Sequence, residues 1–163
     1  MDANAHGRYR EARRYFLRGL ARTTAPALVT ALQRGLSYAE TELGDAVRGL
    51  ALLDDALGSS RSMTALERGM LLSQRGLVHN RLGDIRASLA DYGAAEPLLA
   101  EAPEELARIG LNRGNIFVDR GDAAAAIQDY TMAIKQFDRI GRTDGRAKAM
   151  HNLGYVHMTL GDL

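Results

Sequence analysis

A phrase of eleven residues occurs three times along the chain at nearly constant spacing. It reads QRGLVHNRLGD at 74–84, NRGNIFVDRGD at 112–122 and NLGYVHMTLGD at 152–162. The second Gly of each copy, together with a fainter copy upstream, gives markers at Gly44, Gly83, Gly121 and Gly161, at intervals of 39, 38 and 40 residues. A still fainter copy puts a fifth marker at Gly7. Self-similarity at such a period is typical of repeat architectures.

The residues that follow each marker also repeat, and they do so at helical spacing. Small residues stand five and twelve positions after the marker, and a large residue stands nine positions after it. The large ones are Phe16, Leu53, Tyr92 and Tyr130, and the small ones are Ala12, Gly49, Ser88 and Ala126, then Gly19, Ala56, Ala95 and Ala133. Offsets of three, four and seven place residues on one helix face, and strand alternation is nowhere sustained. The pattern predicts an all-α fold.

Each phrase predicts the end of one helix and the start of the next. The marker Gly adopts the left-handed conformation that ends helices, and the Asp after it is suited to cap the next helix; these are Asp45, Asp84, Asp122 and Asp162. A Gly inside a helix costs about 1 kcal/mol. Its recurrence at Gly76, Gly114 and Gly154 therefore predicts close approach of the paired helix through small residues such as Ser88 and Ala126. Such a hairpin is stable only when stacked on its neighbours.

The segments NRGNIFVDRGDAAAAIQDYTMAI (112–134) and QRGLVHNRLGDIRASLADYGAAE (74–96) resemble the tetratricopeptide repeat. The copy at 36–57 is weaker, with Glu40 where the family has an aromatic residue. The resemblance implies a right-handed α-solenoid of stacked helix hairpins with about eight helices. The period of 37 to 40 residues exceeds the standard repeat of about 34. Arrays of this longer period are similar to those that precede CHAT-type, caspase-like protease domains or that lie within large bacterial regulators.

We expect one repeat domain over 1–163, with repeats at 25–62, 63–101 and 102–141 and partial repeats at about 1–24 and 142–163. The predicted helices are 8–22, 26–43, 45–57, 64–82, 84–100, 103–120, 122–139 and 144–160. A solenoid normally has polar caps at both ends. The sequence ends in mid-repeat, so we expect either a fragment of a longer protein or self-association through the uncapped ends.

The resemblance also implies a concave groove, lined by the first helix of each hairpin, that holds a partner peptide. The residues carried over to that groove are Arg34, Tyr38, Gln74, Asn80, Arg81, Arg108, Asn112, Asn115, Asp119, Lys148, Asn152 and Tyr155, with Thr41, Glu42, Ser73, Leu77, Leu111 and His151 beside them. Asn112 and Asn152 match an Asn that in many members bonds the peptide backbone. The alternative is that each bonds its neighbouring helix.

These features predict a protein–protein interaction scaffold rather than an enzyme. The chain has no Cys, its carboxylates repeat without a catalytic arrangement, and its glycines do not cluster in a phosphate loop. His79 and His157 occupy equivalent repeat positions and are interpreted as packing residues, so we expect no metal and no cofactor. The alternative is a regulatory arm of a CHAT-type protease whose catalytic domain lies outside this chain. No signal peptide or membrane span is evident, and the predicted location is cytoplasmic.

The N-terminal segment has the one strong charge asymmetry in the chain. It contains Arg8, Arg10, Arg13, Arg14, Arg18 and Arg22 against Glu11, whereas the whole chain has a net charge of +1. Arg10, Arg14 and Arg18 form a stripe at i, i+4 spacing. The stripe indicates either an anionic partner or a solvated outer face. We expect no aromatic residue among the exposed arginines, which disfavours nucleic acid as the partner.

Overall fold

The computed structural model describes residues 3–59 and 63–161, and within these ranges the chain is helical, with no β-strand. The helices are α1 Ala3–Leu20, α2 Pro26–Glu42, α3 Ala46–Ser59, α4 Ala65–Arg81, α5 Ile85–Ala95, a 3₁₀ turn Glu96–Leu99, α6 Pro103–Asp119, α7 Ala123–Arg139 and α8 Thr143–Leu160. The chain divides into two compact units, Met1–Asp91 (unit 1) and Tyr92–Leu163 (unit 2).

In unit 1 the helices pack on one another in sequence order. α1 packs on α2, α2 on α3 and α3 on α4, while α2 also contacts α4. The apolar positions of the repeat supply the interior, in which Leu53, Ala56, Leu71 and Val78 are buried together. The first helices of successive hairpins are therefore neighbours, as in an α-solenoid.

Unit 2 follows the same plan. α6 packs on α7 and α7 on α8, while α6 also contacts α8. Its core contains Ala107, Leu111, Ala126, Tyr130, Ala133, Phe137, Ala149 and Val156. The predicted all-α, solenoid-like fold is thus confirmed, and the solenoid packing is seen within each unit. One repeat domain over 1–163 stays a prediction.

The turns inside the hairpins are built as the repeated phrase predicts. The marker glycines 44, 83, 121 and 161 all have positive φ, between 74° and 97°. Asp45, Asp84 and Asp122 each accept a hydrogen bond at Oδ1 from the backbone N–H three residues on, at 2.9 to 3.1 Å. These caps satisfy N–H groups that the first turn of a helix otherwise leaves unpaired. Asp162 lies outside the described residues.

Two helix predictions were wrong. α1 begins at Ala3 rather than at residue 8, so Gly7 lies inside the helix and marks no turn. The helix predicted over 84–100 ends at Ala95 and continues as the 3₁₀ turn that contains Pro97. A proline has no N–H to donate and its ring crowds the preceding turn, so the α-helical hydrogen-bond pattern of α5 is interrupted there.

The glycines inside the first helices differ in their surroundings. A Cβ atom built on Gly114 would lie 2.5 Å from the Tyr130 ring, so close approach is confirmed there, although the ring rather than Ala126 fills the space. Gly154 has no described atom within 4 Å of such a Cβ, so the same prediction was wrong at that position. In α2 and α3 the roles are exchanged, since Gly49 on the second helix lies against Ser37 and Thr41 on the first.

Candidate binding site

A cleft of about 190 Å³ lies on unit 2 where α6, α7 and α8 meet. Its lining residues come from all three helices and are Asn115, Val118 and Asp119, then Tyr130, then His151, Asn152 and Tyr155. Four of the predicted groove residues are therefore brought together, namely Asn115, Asp119, Asn152 and Tyr155, and His151 lies beside them. Val118 and the hydroxyl end of Tyr130 complete the lining.

The base of the cleft is a small hydrogen-bond network centred on Asn115. The Tyr130 hydroxyl donates to Asn115 Oδ1 at 2.7 Å, and Asn152 Nδ2 donates to the same oxygen at 3.0 Å. Of the two alternatives for Asn152, the structure shows the bond to a neighbouring helix. Asn115 Oδ1 thus accepts two hydrogen bonds. The Asn115 Nδ2 group can still donate, and none of the described residues accepts a hydrogen bond from it. The network thus presents one oriented amide donor to the cleft.

The cleft offers a partner one hydrogen-bond donor, at Asn115, and one acceptor, at Asp119. Burial raises the pKa of the Tyr130 hydroxyl, a hydrogen bond with Asn152 opposes this, and the charges of Asp119 and Asp129 raise it further. The hydroxyl therefore stays protonated and donates. Asp119 lies exposed at the cleft, one helical turn from Asn115, and has no cationic partner among the described residues. A donor at Asn115 and an acceptor at Asp119 stand side by side.

The other predicted groove residues of unit 2 lie outside this lining. Arg108 is exposed, with the Glu105 carboxylate 3.8 Å away on the same helix. Asn112 is half-buried and its side chain makes no hydrogen bond to a described residue, and Lys148 is exposed. Whether Asn112 contacts a partner stays a prediction.

The predicted groove residues of unit 1 lie on α2 and α4. Arg81 on α4 pairs with Glu42 on α2 at 3.4 Å, which links the two first helices across their shared face. Tyr38 meets Tyr9 of α1 edge to face, with ring centroids 5.8 Å apart. Arg34, Gln74 and Asn80 are partly buried on the same two helices. Their role in binding stays a prediction.

Two arginines that the sequence analysis did not single out hold the hairpins together. Arg113 on α6 makes two hydrogen bonds to the Asp129 carboxylate on α7, both 2.7 Å, and a third contact to Glu96 at 3.0 Å. The hydrogen bonds to Asp129 raise the pKa of Arg113, and burial of the guanidinium opposes this only in part. The pair thus joins α6 to α7 beside Tyr130, whose hydroxyl reaches Asn115 in the cleft.

The equivalent pair in unit 1 has the same geometry. Arg75 makes two hydrogen bonds of 2.7 Å to Asp91 and one of 2.8 Å to Asp54. His79 Nε2 lies 3.8 Å from the Asp91 carboxylate, so its ring lies between two helices, as interpreted from the repeat. The sequence contains a signal for these ion pairs, because Arg75 and Arg113 are 38 residues apart and so are Asp91 and Asp129.

Glu40 is buried where other repeats have His or Phe. Its side chain is 3% exposed, and its Oε1 lies 3.0 Å from Nε of Arg13 on α1 and 3.1 Å from Nε of Arg48 on α3. A buried carboxylate is costly without such partners. Arg13 of the N-terminal cluster therefore helps to hold α1 on α2, although its side chain stays partly exposed.

The other arginines of the N-terminal segment are exposed, four of them on α1 and Arg22 in the turn after it. Arg8, Arg10, Arg14, Arg18 and Arg22 are exposed, and none pairs with an acidic side chain among the described residues. Tyr15, at 62% exposure, lies on the same face. The expectation of no aromatic residue among these arginines was wrong, because Tyr15 lies seven residues from Arg8 on α1 and so shares its side of the helix.

Other features of the described residues bear on the remaining predictions. α8 exposes Met150, Tyr155, Met158 and Leu160, and self-association through this helix stays a prediction. No three acidic, His or Cys side chains among the described residues converge as metal ligands would. None of the helices described combines the length and apolar composition needed to cross a bilayer.

The chain is similar to solved structures, although its sequence matches no family model and no curated protein. No protein-family model matches the sequence, and no curated protein matches it significantly. The crystal structure of BtubC (BKLC) from P. vanneervenii superimposes with a TM-score of 0.73 at 20% sequence identity, over 94% of this chain and 65% of that one. The chain thus spans about two thirds of the length of BtubC. At this identity the likeness shows the all-α fold and nothing of the activity.

Proposed function

We propose that this chain is a tetratricopeptide-like interaction scaffold that binds an extended segment of a partner protein along the first helices of its hairpins. The unit 2 cleft is the proposed contact point. The observation that supports this most is the Asn115 amide, oriented by Tyr130 and Asn152 with its Nδ2 donor unused, one turn from the unpaired Asp119 carboxylate.

A peptide backbone matches that arrangement. Its C=O accepts from Asn115 Nδ2, and an N–H or a cationic side chain donates to Asp119. Tyr155 supplies an exposed ring at the rim, and rings of this kind provide large contact area at little entropic cost. The fixed helices around the cleft reduce the ordering cost of binding.

A displayed library of random peptides of about 12 residues, selected on the whole chain, tests this proposal. We expect selected peptides whose binding, measured by calorimetry, weakens about tenfold in Asn115→Asp. That variant keeps the oxygen that accepts from Tyr130 and Asn152 but replaces the amino group. Asp119→Asn should weaken the binding of those selected peptides that contain a basic residue.

Gln128→Ala is the matched control, since Gln128 is an exposed amide on the second helix α7. It should bind the same peptides as the wild type. The proposal is wrong if no peptide is enriched, or if the enriched peptides bind Asn115→Asp and Asp119→Asn as tightly as the unchanged chain. The alternative of a regulatory arm for a CHAT-type protease stays a prediction from the sequence.

A further inference from the structure

The N-terminal helix α1 separates into a packed face and an exposed face. On the packed face the Phe16 ring lies against Gly35 of α2, where a Cβ would come within 2.5 Å of it, and Arg13 reaches Glu40. The exposed face contains four arginines and, among the described residues, a single acidic residue, Glu11, and the exposed Arg22 follows in the turn after the helix. α1 is therefore held by its apolar side and presents a strongly basic side to solvent.

Three of the exposed arginines form a row along the helix axis. Arg10, Arg14 and Arg18 follow one another at four-residue intervals, which on an α-helix places them about 6 Å apart in a row along the axis. Successive phosphates of an extended nucleic-acid strand are separated by a comparable distance. The planar guanidinium group bonds phosphate oxygens in pairs, so a row of arginines fits a row of phosphates.

Tyr15 adds an aromatic surface to the row. Its ring lies one turn from Arg18 and is the most exposed aromatic of this helix. An exposed ring beside cations is the combination by which proteins bind single strands, since bases stack on the ring while phosphates meet the cations.

Other anionic partners fit the face less well. A helix that binds a membrane surface inserts a free apolar side, whereas the apolar side of α1 is packed on α2. Duplex DNA would also pair with the arginines, but its bases are already stacked on one another, which leaves no free base for the Tyr15 ring. An acidic protein would pair with the arginines but leaves the Tyr15 ring without a role.

We propose that the exposed face of α1 binds single-stranded nucleic acid, with Arg10, Arg14 and Arg18 on the phosphates and Tyr15 stacked on a base. This surface is separate from the unit 2 cleft, and each can fail without the other. The contact is sequence-tolerant, because phosphates and stacking distinguish bases poorly.

Fluorescence anisotropy with labelled oligo-dT and oligo-rU of about 12 nucleotides tests the proposal between about 50 and 200 mM salt. Three phosphate contacts on a single strand predict that log K falls with log salt with a slope of about −2. The variant Arg10→Gln/Arg14→Gln/Arg18→Gln should lose at least about tenfold in affinity at the lower salt concentration. The DNA and RNA probes show whether the 2′-hydroxyl contributes.

The matched control removes the same charge elsewhere, at the exposed residues Arg86, Arg120 and Arg139. This Gln triple variant should bind nearly as the wild type does. Tyr15→Ala should weaken binding about fivefold or more, and Tyr15→Phe should restore it because the ring is kept. Circular dichroism on every variant verifies that the helices are intact.

Three results would overturn the proposal. The first is the absence of salt-sensitive binding by the wild type. The second is equal loss of affinity in the two triple variants, which would indicate a response to net charge alone. The third is equal binding of duplex DNA, poly-glutamate or vesicles with anionic lipid, together with no effect of Tyr15→Ala, which would make the face a general polyanion surface.

Discussion

The hairpin α2–α3 and the hairpin α6–α7 share a backbone plan but are held together by different chemistry. In α6–α7 the Tyr130 ring covers Gly114, and Arg113 pairs with Asp129 inside the same hairpin. In α2–α3 the position of Tyr130 is taken by Leu53 and the position of Phe117 by Glu40. The same turn and the same helix pairing are thus obtained from an aromatic interior or from a buried carboxylate.

The two hairpins differ in how far they depend on neighbouring helices. The ion pair of Arg113 and Asp129 closes within α6–α7, whereas Glu40 is neutralised in part by Arg13 of α1. The hairpin that departs from the repeat pattern is therefore the one that needs the N-terminal helix. Four substitutions separate the two kinds of support.

The largest effect is expected from Gly114→Leu. The new side chain would occupy the space of the Tyr130 ring, and overpacking of this kind costs about 3 kcal/mol or more. For a chain of this size that lowers the melting temperature by about 6 to 12 °C, measured by circular dichroism. Gly154→Ala is the contrast, because its Cβ meets open space and the gain in helix propensity is about 1 kcal/mol. Equal melting temperatures for Gly114→Leu and the wild type would show that the contact of the Tyr130 ring with residue 114 does not require a glycine.

The next effect is expected from Asp129→Asn, at about 2 kcal/mol. It replaces one of the two acceptor oxygens with an NH2 donor and leaves Glu96 as the remaining carboxylate at the largely buried guanidinium of Arg113. The control is Asp138→Asn, whose partner Arg146 is equally close at 2.7 Å but half exposed, so the loss should be about 0.5 kcal/mol or less. Urea titration measures both values. Similar losses in the two variants would show that burial of the pair is unimportant.

Glu40→Gln should cost about 1 kcal/mol, since both of its arginines are partly exposed and return to water. The more informative result is local. Without the Arg13 contact, α1 should open more often, and trypsin should cut after Arg14 and Arg18 sooner, as measured by mass spectrometry. Glu42→Gln, which removes the exposed contact to Arg81, should leave that cleavage rate unchanged. An unchanged rate in Glu40→Gln would contradict the dependence of α2–α3 on α1.

The smallest effect is expected from Tyr130→Phe, and it depends on pH. Because the folded state raises the pKa of the Tyr130 hydroxyl, the folded form retains its proton more tightly than the unfolded form. Stability from this group is complete below the ordinary tyrosine pKa of about 10 and declines as the pH rises through the folded pKa. Tyr130→Phe should lose about 0.5 kcal/mol at neutral pH, from the bond to Asn115, and show less alkaline destabilisation. Parallel pH profiles for the two proteins would refute this.

The helix pairs were predictable because their signals are local. A left-handed Gly followed by a capping Asp fixes a turn from three residues, which is why the turns at Gly44, Gly83 and Gly121 were found. Pro97 is an equally local signal for the end of a helix. The helical spacing of the residues before Pro97 nevertheless predicted a helix that continued through it. The partners of Glu40 were not predictable, since a mismatch in the repeat does not reveal which side chain of another helix will meet it.

The cleft was predictable in part for a similar reason. Asn115, Asp119, Asn152 and Tyr155 share a face through the repeat alignment, so their proximity follows from helix geometry. Tyr130 was assigned to packing alone, and the alignment does not show that its hydroxyl extends past the ring to Asn115. Tyr15 was overlooked although its seven-residue spacing from Arg8 was available.

The hairpin turns have a practical consequence for protein engineering. The links from first to second helix are all three residues long, at 43–45, 82–84 and 120–122. Each is closed by a left-handed Gly and a capping Asp, so an added residue would displace both. The links from one hairpin to the next differ in length, five residues at 21–25 but three at 140–142. A label, an epitope or a grafted loop is therefore best inserted at 21–25, where the chain already accommodates extra length.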